Sequence, residues 1–125
     1  DWLEQPIHYP ERLIDTVLET PLKSEGCDLV DAIYVLFRCS QQTEHRRSAI
    51  EMYFERCAAL IARHRRLDGG FSYSQENSQR WYYGMPISMG LKEGDMHGTT
   101  LLVWALSMIA TTLFPGRFQW NVIRP

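Results

Sequence analysis

His97 and Asp31 are the side chains of this chain best placed to do chemistry. His97 precedes Gly98-Thr99-Thr100 and a long apolar run, so it stands at a helix start. A neutral imidazole there can exchange a proton or ligate a metal, or simply hydrogen-bond a neighbouring loop. Asp31 is flanked by Val30, Ala32 and Ile33. A carboxylate among apolar neighbours calls for a partner, either across a cavity shared with His97 or in an inter-helix hydrogen bond. Trp81, Tyr82 and Tyr83 follow one another, and aromatic faces stabilise carbocations and ammonium groups. Equally, such a cluster can pin a long loop to the body. Arg46, Arg47, Arg63, Arg65 and Arg66 could meet an anionic head group or a diphosphate, or form a solvated face whose last turn complements the helix dipole.

Those residues need elements to hold them. Leu13, Ile14, Val17 and Leu18 predict a short helix from Glu11 to Glu19, between Pro10 and Pro21. Leu29 to Phe37 cover most of a helix circumference, so the stretch from Asp28 to Cys39 is expected to be mostly buried. From Glu44 to Arg66, Ile50, Tyr53, Phe54, Cys57, Leu60, Ile61 and His64 recur at spacings of three and four. That predicts an amphipathic helix with its other face in water. Asp68-Gly69-Gly70 stops it, because glycine supplies the positive φ that helix ends favour. A Ser- and Gln-rich connection then carries Trp81 to Tyr83, and Met96 to Leu113 reads as a nearly all-apolar helix. Asp28 and Asp95 each precede a predicted helix and suit an N-cap. The fold class is therefore all-α, one helical domain over residues 1–125, with a repeat of nearly seventy residues.

A length of 125 residues, 45% apolar and 22% charged, can bury a real core. A net charge of -2 gives no global pull toward nucleic acid. Cys27, Cys39 and Cys57 show no metal-knuckle spacing and read as reduced, largely buried thiols, which points to a cytoplasmic protein. The N-terminus lacks the pattern of a signal peptide and an initiator Met, which leaves a processed, truncated or excised chain open. The run from Leu101 to Leu113 is too short for a transmembrane segment.

Three stretches carry a resemblance to the α/α toroid of protein prenyltransferases and terpene cyclases. Leu29-Val30-Asp31-Ala32-Ile33-Tyr34 resembles the start of an inner helix of the prenyltransferase β-subunit, where an Asp and a Cys two residues later bind zinc. Asp68-Gly69-Gly70-Phe71 resembles the turn between hairpins. Asp95-Met96-His97-Gly98-Thr99-Thr100 resembles the start of the next inner helix, whose His completes the metal site, and Asp31 and His97 lie 66 positions apart, close to the family's spacing. The resemblance implies a cavity for an apolar, isoprenoid-like substrate, with Asp31 and His97 as catalytic centre and Trp81, Tyr82, Tyr83 and Tyr34 as its wall.

The departures are specific. Ile33 occupies the position of the zinc-binding Cys, and Cys27 lies before the helix. Two ligands leave zinc under-coordinated, so no metal and no cofactor is expected. The acidic cluster of squalene-type cyclases is absent, and about two and a half hairpins fit where a ring needs five or six. Trp81-Tyr82-Tyr83-Gly84 and His97-Gly98 are also similar to motifs of lanthionine cyclases, but Tyr82 and Met96 replace both metal-binding cysteines there. The expected function is a toroid segment bordering an apolar substrate cavity. The alternative is a non-catalytic helical-repeat module for binding a protein. Either way the apolar surface of the last helix calls for a partner, the remaining hairpins or a second chain.

Overall fold

The computed structural model describes residues 5–118. The chain is mostly helical, in the order α1 (Pro10–Glu19), α2 (Gly26–Ser40), α3 (Arg47–Ala62), β1 (Trp81–Tyr82), β2 (Met85–Pro86) and α4 (Met96–Leu113). Pro10 occupies the first turn of α1, where its missing N–H costs nothing, and Pro21 follows its end.

The helices form two layers, and their directions follow from what their ends touch. The starts of α2 and α4 both lie against Tyr73: a Cβ at Gly26 would meet the Tyr73 ring at 2.8 Å, and one at Gly98 its backbone N at 2.4 Å. The far ends of both helices line one cleft, through Ser40 of α2 with Gln41 just past it and Thr111 to Leu113 of α4. The two helices are therefore parallel neighbours. Arg47 and Glu51, at the start of α3, line that same cleft, while His64 just past its end bonds Ser72 beside the start of α4. So α3 runs antiparallel to α4. Likewise α1 begins beside the end of α2, where Ile7 N donates to Gln42 Oε1 and Thr43 Oγ1 to Glu11, and ends beside Asp28 and Ala32. Parallel α2 and α4 make one layer, backed by α1 and α3.

The core lies between the layers. Leu29, Val30, Ile33, Leu36 and Phe37 of α2 meet Ile50, Phe54, Cys57 and Ile61 of α3, Ile14 of α1, and Leu102, Ala105, Met108 and Ile109 of α4. Each fully buried Leu- or Ile-sized side chain contributes roughly 1.5–3 kcal/mol. The three- and four-residue spacing on α3 maps onto this core, with Leu60 half-buried at its margin.

Several boundaries differ from those expected. Helix α3 starts at Arg47, because Arg46 takes a left-handed conformation (φ 51°), and it ends at Ala62 rather than Arg66. Beyond it Arg65 bridges Phe71 and Arg66 N donates to Gly70 O, so this stretch becomes a turn. Helix α2 begins at Gly26, which places Asp28 inside its first turn. Asp28 is no N-cap: it is exposed and pairs with Lys23 at 3.3 Å. The long connection holds a two-residue antiparallel hairpin, Trp81 opposite Pro86 and Tyr82 opposite Met85, that the sequence reading leaves irregular. It turns at Tyr83 and Gly84, both at positive φ (48° and 79°).

Helix α4 departs most. Gly98, Leu102, Ala105, Met108 and Ile109 are its buried positions, while Val103 is half exposed. Its full 18 residues, of mean hydropathy 1.3, are long and apolar enough to cross a membrane by length and composition, which the shorter run from Leu101 is not. In the fold it packs on α2 and α3.

Candidate functional site

The starts of α2 and α4 are joined by the segment that leaves the Gly69–Gly70 turn. Asp68 Oδ1 accepts from Gly70 N at 3.0 Å and its Oδ2 from Gly94 N at 2.8 Å, so one carboxylate fastens the turn to the residue before α4. These N–H donors, Gly94 foremost, hold the Asp68 carboxyl below the usual aspartate range. Asp95 does more. It is the N-cap of α4, as expected, with Oδ1 accepting from Gly98 N at 2.6 Å. Its Oδ2 accepts from Tyr73 N at 2.8 Å and Gln79 N at 2.9 Å, and its own N donates to Phe71 O. A single buried carboxylate thus starts the helix and shapes the loop.

That loop places the candidate chemistry. Tyr73 lies across Gly26, and its ring stacks on the His97 imidazole with centroids 5.2 Å apart and planes 16° from parallel. Burial, and secondarily the nearby Cys27 thiol, push the Tyr73 pKa up to about 12. Tyr82 covers the imidazole from another side at 4.5 Å. His97 Nδ1 lies 2.6 Å from Gln79 Oε1. An amide oxygen only accepts, so Nδ1 carries a proton and, in the neutral imidazole, Nε2 presents a lone pair. The ring is therefore held by stacking and by one fixed tautomer.

Seven residues along both helices a second contact repeats the first: Tyr34 meets Trp104 with centroids 5.3 Å apart. Seven residues are nearly two turns, about 10.5 Å of helix, so Cys27 aligns with Tyr34 and His97 with Trp104. Asp31 falls between Cys27 and Tyr34 on α2, four residues after one and three before the other, so it shares their face of that helix. It does not sit in an apolar pocket, however. Asp31 is exposed, because the flanking Val30 and Ile33 turn to the core on the other side of the helix. No hydrogen bond or ion pair joins Asp31 to His97 among the described residues. Tyr34 and His97 are half-buried, and Trp81, Tyr82 and Tyr83 exposed.

No group of three His, Cys, Asp or Glu side chains suited to a metal occurs among the described residues. Cys39 and Cys57 are buried and Cys27 exposed, all three as free thiols; burial raises Cys39 and takes Cys57 up to about 12, leaving both unreactive. Three of the five arginines are engaged within the fold. Arg46 binds Asp15 at 3.0 Å, Arg47 pairs with Glu44, and Arg66 donates to Ser72 Oγ at 2.8 Å and Gln75 O at 2.7 Å. His64, fully buried, donates from Nδ1 to Ser72 O at 2.8 Å and so is a structural partner of the same segment.

Tyr73 and Gln79, which position His97, have no mark in the sequence pattern, since each lies in an irregular stretch. The usable signal was Gly98, a glycine inside a helical run, which marks a close backbone approach. No family model matches the chain, and neither a curated protein nor a solved structure does.

Proposed function

We propose that the face shared by α2 and α4 is one wall of a binding cavity for an apolar, isoprenoid-like substrate, in a toroid of prenyltransferase or terpene-cyclase type. The observation that carries this is the His97 imidazole, ordered by Tyr73, Tyr82 and Gln79 so that Nε2 is available. In this reading His97 moves a proton, Asp31 supplies charge one turn along the face, and Tyr34, Tyr82 and Tyr83 with Trp81 offer π-faces to an isoprenoid chain or a developing cation. Titration with farnesol and with farnesyl diphosphate, followed calorimetrically, tests it. Saturable binding that weakens about tenfold, or about 1.4 kcal/mol, in Tyr34→Ala is the expected result. No heat with either ligand at millimolar concentration would remove the proposal.

A second reading, a helical module that binds protein, draws on the open side of α4. There a groove of about 580 Å³ runs between α3 and α4, bordered by Ala58, Val103, Leu106, Ala110, Leu113 and Phe114. In that reading the occupant is a second copy of the chain or further helical hairpins.

A further inference from the structure

The excursion from Ser78 to Leu91 is built inside out. Its polar groups close on one another: Ser78 N donates to Leu91 O at 2.8 Å, Ile87 N to Arg80 O at 2.9 Å, Ser88 Oγ to Gln79 O at 2.8 Å, and the Ser78 and Ser88 hydroxyls meet at 2.7 Å. Its apolar side chains face solvent. Tyr83 at the tip is 91% exposed, Met89 74% and Met85 66%, and Trp81, Ile87 and Leu91 are also exposed. A hairpin that belonged in water would show the reverse pattern.

The charges are sorted as well. Arg80 stands one step below Trp81, its guanidinium 5.9 Å from the ring centroid, and Lys92 stands beside Leu91 at the base. The acids of this stretch are elsewhere. Glu76 lies in the turn before the neck, Glu93 points inward with Oε1 accepting from Met89 N and Ser78 Oγ, and Asp95 is buried. An uncharged tip, a Trp–Tyr zone and two cations at the base follow the order of a bilayer surface: acyl region, interface, anionic head groups. The shape agrees. Pairing puts Trp81 and Pro86 on one side of the ribbon and Tyr82 and Met85 on the other; Tyr82 rests on His97, and Trp81, Tyr83 and Met85 supply the exposed apolar surface of the narrow tip. Such a tip is buried readily by a fluid solvent, whereas a specific protein interface takes a matched surface of about 800 Å² per partner.

We propose that this hairpin docks the protein on anionic membrane surfaces by inserting its Trp81–Met85 tip below the head groups, which Arg80 and Lys92 at its base then meet. The inference shares Trp81 and Tyr83 with the proposed cavity wall but rests on their exposure and on the order of charge, so it survives the failure of that reading. Co-sedimentation of the whole chain with phosphatidylcholine vesicles, with and without phosphatidylserine, tests it. The chain is expected to pellet with both, at least tenfold more tightly on the anionic vesicles. Replacing Trp81, Tyr83 and Met85 together by Ser abolishes binding to both. Arg80→Glu with Lys92→Glu removes only the preference for phosphatidylserine. All five side chains are solvent-facing, so an unchanged thermal melt verifies that each variant is folded. Absence of the parent chain from the pellet overturns the proposal. So does a triple variant that pellets as the parent does, which would assign the contact to α4 or another surface.

Discussion

Two residues at the start of α4 show how much of the site hangs on single atoms. A Cβ at Gly98 would stand 2.4 Å from Tyr73 N and 2.6 Å from Ser72 C, both backbone, so neither side can swing away. Gly98→Ala should cost at least about 1–3 kcal/mol in chemical denaturation and displace Tyr73 from His97. An unchanged stability would mean that the helix start is looser than the close approach implies. Asp95 accepts three N–H bonds, and Asp95→Ala strands Tyr73 N and Gln79 N as well as the cap. A loss of about 1–3 kcal/mol is expected, with amide exchange accelerated at Tyr73 and Gln79. Asp95→Asn keeps one accepting oxygen and should lose less. The capping role of Asp95 was legible in the sequence because the N-cap rule is local. Its two further bonds were not, because they depend on where residues 73 and 79 return in space. The apolar surroundings expected of Asp31 are absent for a related reason: neighbours along the chain say little about exposure when a helix turns successive residues to different sides.

At the scale of elements, periodicity read well and ends read poorly. The core face of α3 was legible position by position, since Ile50, Phe54, Cys57 and Ile61 follow the helical repeat. Its termini were not, because the left-handed Arg46 and the Arg65–Phe71 bridge are tertiary outcomes. The hairpin at Trp81 was missed because the first of its two turn residues is Tyr83, held at positive φ where Asn or Gly is usual, and Gly84 alone does not mark a hairpin. The Asp68 turn gives this scale a pH signature. Its folded pKa lies below the ordinary 3.8, so its stabilisation is present above that value and fades as pH falls through the depressed one. Asp15, held low by the His45 hydrogen bond and then by Arg46, behaves in the same sense where α1 meets the turn before α3. Acid titration should therefore loosen both junctions, and Asp68→Asn should flatten the acid limb of the stability curve below about pH 4. An unaltered limb would show that neither N–H contact distinguishes the charged form.

At the scale of the molecule, the all-α reading follows from hydrophobic patterning, and so does the need of α4 for cover, whereas which of its sides stays open could not be read from it. An apolar stripe says that a surface wants cover, not which surface receives it. With Val103 half exposed beside Leu106 and Phe114, the chain is expected to associate as its concentration rises. Light scattering should show this, and Val103→Lys should return a monomer with its melt intact. A monomer at high concentration in the parent would leave the protein-binding reading without support. The hairpin has a different consequence at this scale. Its neck is closed by Ser78 N donating to Leu91 O, while Asp95 has already fixed residue 79 and the start of α4. The appendage is thus separable from its carrier. Trimming residues 81–86 to a two-glycine link changes loop-closure entropy by only a few tenths of a kcal/mol. The helical body should fold as before, and the neck should accept a foreign ribbon of the same footprint, making this chain a holder for interchangeable surface probes.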